Sequence, residues 1–178
     1  MAIFNHLPSF RQITPVYAVC VIMIYTWTTL WFFWSLPSWL FYLNLGEVIV
    51  LYAYISVINL LESLLVLCVP LGLSVVLPQK WFRDSFVSRG ASLVILGLGY
   101  AMFLALQLRT SEAYPGALLK VWSIALAVGA IFLLVFMAGK TPLVKKVIEV
   151  IAQQATILLF VYLPISLISL FIVLPRVL

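Results

Sequence analysis

Charged residues are scarce in this chain, and they are kept out of its long apolar runs. Only 8% of the 178 residues are charged, whereas 66% are hydrophobic. A soluble domain of this size needs charge over most of its surface, commonly about a quarter of its residues. The scarcity of charge therefore excludes a soluble globular protein and predicts an integral membrane protein surrounded by lipid.

Histidine and cysteine are also rare, and their rarity excludes several kinds of site. The single histidine, His6, leaves no histidine pair for haem ligation. Cys20 and Cys68 lack metal-ligand spacing and lie toward a reducing compartment in the topology below, so we expect two buried, unpaired thiols. The sequence also has no metalloprotease helix motif, phosphate loop or nucleophile elbow. We expect neither catalytic residues nor a metal site, favour a non-enzymatic role and can name no cofactor.

Five apolar runs are long enough to cross the ~30 Å hydrocarbon core of a bilayer as helices. Lipid cannot satisfy exposed backbone amides, and the runs lack the alternation of barrel strands, so each run is predicted to be helical. The connections are too short for a soluble catalytic module, so the sequence predicts one all-α, polytopic transmembrane bundle over residues 1–178. The predicted spans are about 15–36, 47–77, 90–108, 118–138 and 155–174.

The lysines and arginines are distributed unequally between the two sides of this five-span topology. Because cytoplasmic loops carry the excess of basic residues, the richer side is predicted to be cytoplasmic, with the N-terminus inside and the C-terminus outside. We expect the bacterial cytoplasmic membrane as the location. The dispersed basic residues and the absence of a binding motif argue against nucleic acid as a partner. The predicted inner set is Arg11, Lys80, Arg83, Arg89, Lys140, Lys145 and Lys146, and the outer set is Arg109, Lys120 and Arg176.

An amphipathic segment over residues 142–154 precedes the fifth span. Thr141 and Pro142 are typical of a helix N-cap and first helical position. Lys145 and Glu149 are one turn apart on the polar face and can pair. We expect one helix of about 50 Å, from Pro142 to Leu174, whose first part lies at the cytoplasmic surface. This part is either a docking face for a partner or an anchor among lipid headgroups.

Small residues recur every fourth position in the third and fourth spans. Gly97, Ala101 and Ala105 form one such row, and Ala125 and Gly129 form the other. Small side chains at this spacing let two helix backbones approach closely in lipid. We predict helix-packing faces here. Packing within the chain is favoured over packing against another chain.

One acidic residue, Glu62, lies deep inside a predicted span. Tyr52, Ser56, Asn59 and Ser63 form a polar stripe on the same helix, with Glu62 at its edge. A bare carboxylate in hydrocarbon costs about 2.5–3.5 kcal/mol on insertion scales, so the stripe is expected to face the bundle interior, a water-filled cavity or another subunit. Its functional roles would be proton relay, cation coordination or binding of a ligand's polar head. The alternative is a structural hydrogen bond between helices.

The tryptophans lie near the predicted ends of the spans. Rings with a polar edge favour this interfacial depth, so we interpret them as membrane anchors rather than as a stacking surface for a quinone, carotenoid or porphyrin. The six are Trp27, Trp31, Trp34, Trp39, Trp81 and Trp122.

Two functions fit these features best. The first is a non-catalytic accessory or scaffold subunit of a larger membrane complex, which packs against partner helices, lipid or pigment. The second is a small oligomeric transporter of protons, ions or another solute that uses Glu62. A lipid-modifying enzyme is a weaker third, because its available carboxylates, Glu47, Asp84 and Glu112, have no convincing partner. The expected partners are the bilayer and either other membrane proteins or further copies of this chain.

Overall fold

The structure, a computed structural model, describes residues 8–110 and 120–177. Every secondary-structure element in these two ranges is a helix. His6, Glu112 and the first two residues of the predicted fourth span lie outside the described residues. A short 3₁₀ turn spans Arg83–Ser85. The α-helices are α1 (Phe10–Trp39), α2 (Leu45–Val76), α3 (Gln79–Phe82), α4 (Phe86–Thr110), α5 (Val121–Lys140) and α6 (Pro142–Val177).

All five predicted membrane-crossing helices are present among the described residues. The helices α1, α2, α4, α5 and α6 are each long and apolar enough to span a bilayer. The all-α bundle is therefore confirmed, and the chain is an integral membrane protein by the length and composition of its helices. Several helices extend beyond the apolar runs, because a helix ends where its backbone finds a cap. At α2, Asn44 accepts from the Glu47 amide at 3.0 Å and its own amide donates to Glu47 Oε2 at 2.8 Å.

The amphipathic segment and the fifth span form one continuous helix, as predicted. Helix α6 has 36 residues, which corresponds to about 54 Å. Lys145 Nζ lies 4.0 Å from Glu149 Oε1, which confirms the predicted pair. Thr141 occupies the expected position before Pro142, but its hydroxyl donates to the carbonyl of Met137 at 2.9 Å. The threonine therefore closes the end of α5 instead of capping α6 with its side chain.

Helix α1 is the centre of the bundle. It packs against α2, α4 and α6, whereas α5 lies at the edge and packs against α4 and α6. Val16, Ala18 and Cys20 on α1 are completely buried. A central position for α1 brings side chains of three other helices onto its surface and determines where the polar groups of the chain can meet.

Among the described glycines, Gly90 is the one at which α4 comes closest to an apolar side chain of α1. A Cβ built on Gly90 would lie 3.2 and 3.3 Å from the two methyl carbons of Val16. These distances are tighter than normal carbon contacts, so the absent side chain is what lets the two helices meet. Gly90 lies in the first turns of α4, before the row of small residues that the sequence singled out.

The predicted small-residue rows lie largely on the outside of the bundle. Ala101, Ala105, Ala125 and Gly129 are exposed, and Gly97 is half-buried. Within the described part of the chain, no packed atom lies within 4 Å of a Cβ built on Gly97 or Gly129. These residues are thus left open to lipid or to another protein, and a role in packing stays a prediction.

The orientation of the bundle in the membrane stays a prediction and has a direct test. We expect single cysteines at Lys146 and Lys120, placed in a chain in which Cys20 and Cys68 are alanine, to be labelled from opposite sides. An impermeant maleimide added to intact cells should label the cysteine at position 120, and the cysteine at 146 should react only after the membrane is opened. The reversed pattern would contradict the predicted topology.

Candidate functional site

A buried polar cluster joins α1, α2 and α6 at the centre of the bundle. The hydroxyl of Tyr25 lies 3.1 Å from the carbonyl oxygen of Ser56 and 2.5 Å from Ser166 Oγ. The ring of Tyr25 packs on that of Tyr162, with centroids 4.8 Å apart. Tyr25, Ser56 and Ser166 are at most 1% exposed. In hydrocarbon, such hydrogen bonds hold helices together because a buried polar group has no water to bind.

The same cluster continues along α2 through two residues of the predicted polar stripe. Asn59 Nδ2 donates to Thr28 Oγ1 at 2.7 Å, and the Thr28 hydroxyl lies 3.0 Å from the carbonyl oxygen of Ile24. Farther along, Ser63 Oγ lies 3.4 Å from the hydroxyl of Tyr17. The buried residues of the stripe therefore form hydrogen bonds with residues of α1.

Tyr52, the first residue of the stripe, is half-buried and makes an aromatic contact. Its ring lies 4.9 Å from that of Phe32, in an edge-to-face arrangement. Its carbonyl oxygen accepts from Ser56 Oγ at 2.9 Å. Tyr52 thus closes one end of the polar cluster with its ring.

Glu62 lies on a different face of α2 from this cluster. It is exposed, and Ile58, Leu61 and Leu65 around it are 52%, 57% and 69% exposed. Successive helix residues are separated by about 100°, so Glu62 and Ser63 point in different directions. The structure brings Ser56, Asn59 and Ser63 together with α1 and leaves Glu62 on the outer surface of the bundle.

Four members of the cluster, Tyr17, Tyr25, Thr28 and Ser166, were not predicted from the sequence. The available signal was polar spacing: Tyr25 and Thr28 are three residues apart, as are Ser166 and Ser169. Both serines are buried on α6. Pairs at this spacing share one helix face, but single hydroxyl groups are too common in membrane helices to indicate which face is buried.

A second site surrounds Arg89, which the sequence analysis assigned to a connection rather than to a helix. Arg89 is only 6% exposed in the first turn of α4, and its Nη1 donates to the carbonyl oxygen of Trp81. Its guanidinium carbon lies 5.5 Å from the ring centroid of Phe136. It occupies the space beside Gly139, where a Cβ would approach the guanidinium carbon to 2.8 Å. Arg89 therefore ties the α3 segment to the end of α5 through its own side chain.

Three tryptophans in the second half of α1, Trp27, Trp31 and Trp34, line a groove together with Arg109 of α4. The rings of Trp27 and Trp31 meet edge to face at 5.7 Å, and the guanidinium carbon of Arg109 lies 4.1 Å from the Trp31 ring centroid. The groove has a volume of about 600 Å³ and extends to Trp34, which is 78% exposed. This arrangement suits an interfacial anchor stabilised by a cation–π contact.

The other three tryptophans also keep a large exposed area or an aromatic neighbour. Trp122 is 82% exposed, and Trp81 is 60% exposed with its ring 5.7 Å from that of Phe136. Trp39 is half-buried, with its ring 5.4 Å from that of Phe32. Their interpretation as membrane anchors stays a prediction.

The cysteines and the metal-ligating residues offer no further site in the described ranges. Cys20 is buried and free, which confirms its predicted state. Cys68 is free but exposed, so the prediction that both thiols are buried was wrong for this residue. Its position on the outer face of α2 explains the difference. No group of three potential metal ligands occurs among residues 8–110 and 120–177.

Comparisons with known proteins give no relative from which a function can be transferred. No protein-family model, curated protein or solved structure matches this chain.

Proposed function

We propose that this chain is a non-catalytic subunit of an integral membrane complex and that it binds a partner through the outer face of α2. The observation that carries the proposal is the exposure of Glu62 among apolar side chains. A carboxyl group on that face needs a polar partner. In the described part of the chain, the polar stripe of α2 lies on a different face of the helix and cannot serve as that partner.

The depth of Glu62 supports this proposal. Glu62 is 17 residues after Leu45 and 14 before Val76, so it lies about 25 Å and 21 Å from the ends of α2. With the middle of α2 at the middle of the ~30 Å hydrocarbon core, Glu62 lies about 2 Å from the bilayer centre. A glutamate side chain is too short to reach the headgroups from there, and insertion costs about 2.5–3.5 kcal/mol unless the group is covered. A helix from a neighbouring protein that donates a hydrogen bond would remove this cost.

The surroundings of Glu62 favour a subunit interface over a transport path through one chain. The neighbouring exposed residues Ile58, Leu61, Leu65 and Val69 are all apolar. The hydroxyl and amide groups of the central cluster form hydrogen bonds within the cluster, and the cluster contains no carboxylate. One carboxyl group on an apolar face suits a single polar contact between helices. A transporter would instead require several copies that place Glu62 at their shared interface.

Glu62→Leu is expected to release the partner. One interhelical hydrogen bond in a membrane is worth about 1–2 kcal/mol, so recovery of the co-purifying chain should fall about tenfold. The measurement is quantitative recovery of partner chains with tagged protein, extracted in mild detergent from the membranes of the organism that makes it. Glu62→Gln should retain most of the partner, because its amide still makes hydrogen bonds.

The matched control is Asp84→Leu, which removes an exposed carboxylate in the 3₁₀ turn before α4. Its partner recovery should equal that of the wild type. Full recovery with Glu62→Leu would contradict the proposal. If the chain instead formed a homo-oligomer that conducts ions in liposomes, and Glu62→Gln abolished this conduction, the transporter function would replace the subunit function.

A further inference from the structure

An open groove runs between α1 and α6 on the surface of the bundle. Its volume is about 710 Å³, within the range of sites that hold small molecules. The two helices run in the same direction along it, since Arg11 lies across the groove from Gln153, and Tyr25, farther along α1, contacts Ser166, farther along α6. The groove therefore follows the length of α6 instead of crossing the bundle, and α1 lines only its first part.

The polar residues of the groove are confined to one end. Arg11 and Thr14 of α1 face Gln153 and Thr156 of α6 there. The residues that line the groove include no carboxylate, so the charge at this end is positive. This end corresponds to the start of α1, at the depth where a membrane helix leaves the hydrocarbon.

The rest of the groove is apolar and has the length of one leaflet. Leu159, Phe160, Leu163 and Leu167 line it along α6. From Thr156 to Leu167 the helix rises about 16 Å, and one leaflet contributes about 15 Å of the hydrocarbon core. A cationic end and an apolar trough of this length match the two parts of a phospholipid.

We propose that this groove binds an anionic phospholipid, with its phosphate at Arg11 and an acyl chain along Phe160, Leu163 and Leu167. Arginine suits the phosphate because its planar guanidinium donates two parallel hydrogen bonds to phosphate oxygens. Thr14, Gln153 and Thr156 supply further polar groups at the headgroup depth. The lipid covers the gap between the central helix and the last one.

The test is lipid binding to the purified full-length chain in mild detergent, followed by native mass spectrometry. Phosphatidylglycerol and phosphatidylcholine with identical acyl chains are titrated separately. We expect phosphatidylglycerol to bind about tenfold more tightly, and Arg11→Gln to remove this preference. The matched control is Lys146→Gln, an exposed cation near the start of α6 but outside the groove. It should leave the preference within about twofold.

Leu167→Trp tests the apolar part without changing charge. Leu167 is 52% exposed, so a larger side chain can enter the groove without disturbing the buried core. We expect this variant to weaken binding of both lipids while the helical circular dichroism spectrum is unchanged. Equal binding of the two lipids to the wild type, an equal loss with Lys146→Gln, or unchanged binding to Leu167→Trp would each overturn the proposal. So would a protein segment occupying the groove in the purified complex.

Discussion

Gly90→Leu is expected to lower the melting temperature of the bundle by about 6–12 °C. Even the first carbon of a side chain at this position would press on both methyl groups of Val16, which is completely buried. Leucine adds three more carbons, and neither α1 nor α4 can move away without losing other contacts. Overpacking of this kind costs about 3 kcal/mol, and each kcal/mol corresponds to about 2–4 °C in a chain of this length. Intrinsic tryptophan fluorescence during heating in mild detergent measures the change.

The same substitution at Gly129 is the matched control. Gly129 is a glycine in the membrane-spanning helix α5 that has room for a side chain. Gly129→Leu should change the free energy of unfolding by no more than about 0.5 kcal/mol in the isolated protein. Equal destabilisation by the two variants would show that glycine matters for helix flexibility rather than for the contact between α1 and α4.

Tyr25→Ala is expected to destabilise the chain by about 3–5 kcal/mol. The substitution deletes a fully buried ring that packs on Tyr162 and leaves a cavity between three helices. It also removes the hydroxyl that contacts Ser56 and Ser166. Reversible unfolding in mixed micelles, followed by circular dichroism, gives the free energy difference.

Tyr25→Phe separates the hydroxyl from the ring. Interhelical hydrogen bonds in membrane proteins contribute about 0.6 kcal/mol on average and up to about 1.7, so this variant should lose about 1 kcal/mol. Tyr42→Ala is the control, since Tyr42 is 89% exposed and its loss should be almost neutral. A loss with Tyr25→Phe as large as with Tyr25→Ala would show that the hydrogen bonds, and not the packing, carry the stability.

The existence of the five helices follows from their apolar length alone, because a hydrocarbon solvent permits few alternatives for a chain of this composition. Their ends depend on local capping instead. Asn44 begins α2 before the predicted start at residue 47, and α6 continues through Pro142 to Val177 as one rod. Arg89 was placed in a connection because charge usually marks the end of a span, whereas here its guanidinium is buried against α5.

The candidate site was only partly predictable for a geometric reason. The sequence identifies Glu62 as the acidic residue in the apolar run of α2. Whether its side chain points into the bundle or outward depends on which helices surround α2. The helices α1 and α6 cover the side that carries Ser56 and Asn59 and leave Glu62 outside. The contact between Tyr25 and Ser166 joins residues 141 positions apart. No periodicity within one helix encodes a pairing at such a separation.

The open rows of small residues show the same limit. Their spacing predicts close helix contact, and the spacing is real, but the described chain places Ala101, Ala105 and Gly129 on its outer surface. The four-residue spacing of small side chains indicates that a helix can pack closely, but it does not determine which helix packs against it. Together with Glu62, these small residues lie exposed on the outer surface of the described chain.

The 141-residue separation between Tyr25 and Ser166 has a consequence for synthesis on the ribosome. At about 5–20 residues per second, Ser166 is made about 7–28 s after Tyr25. During that interval the part of α6 that carries Ser166 does not yet exist. Until then the hydroxyl of Tyr25 has to do without its final partner on α6.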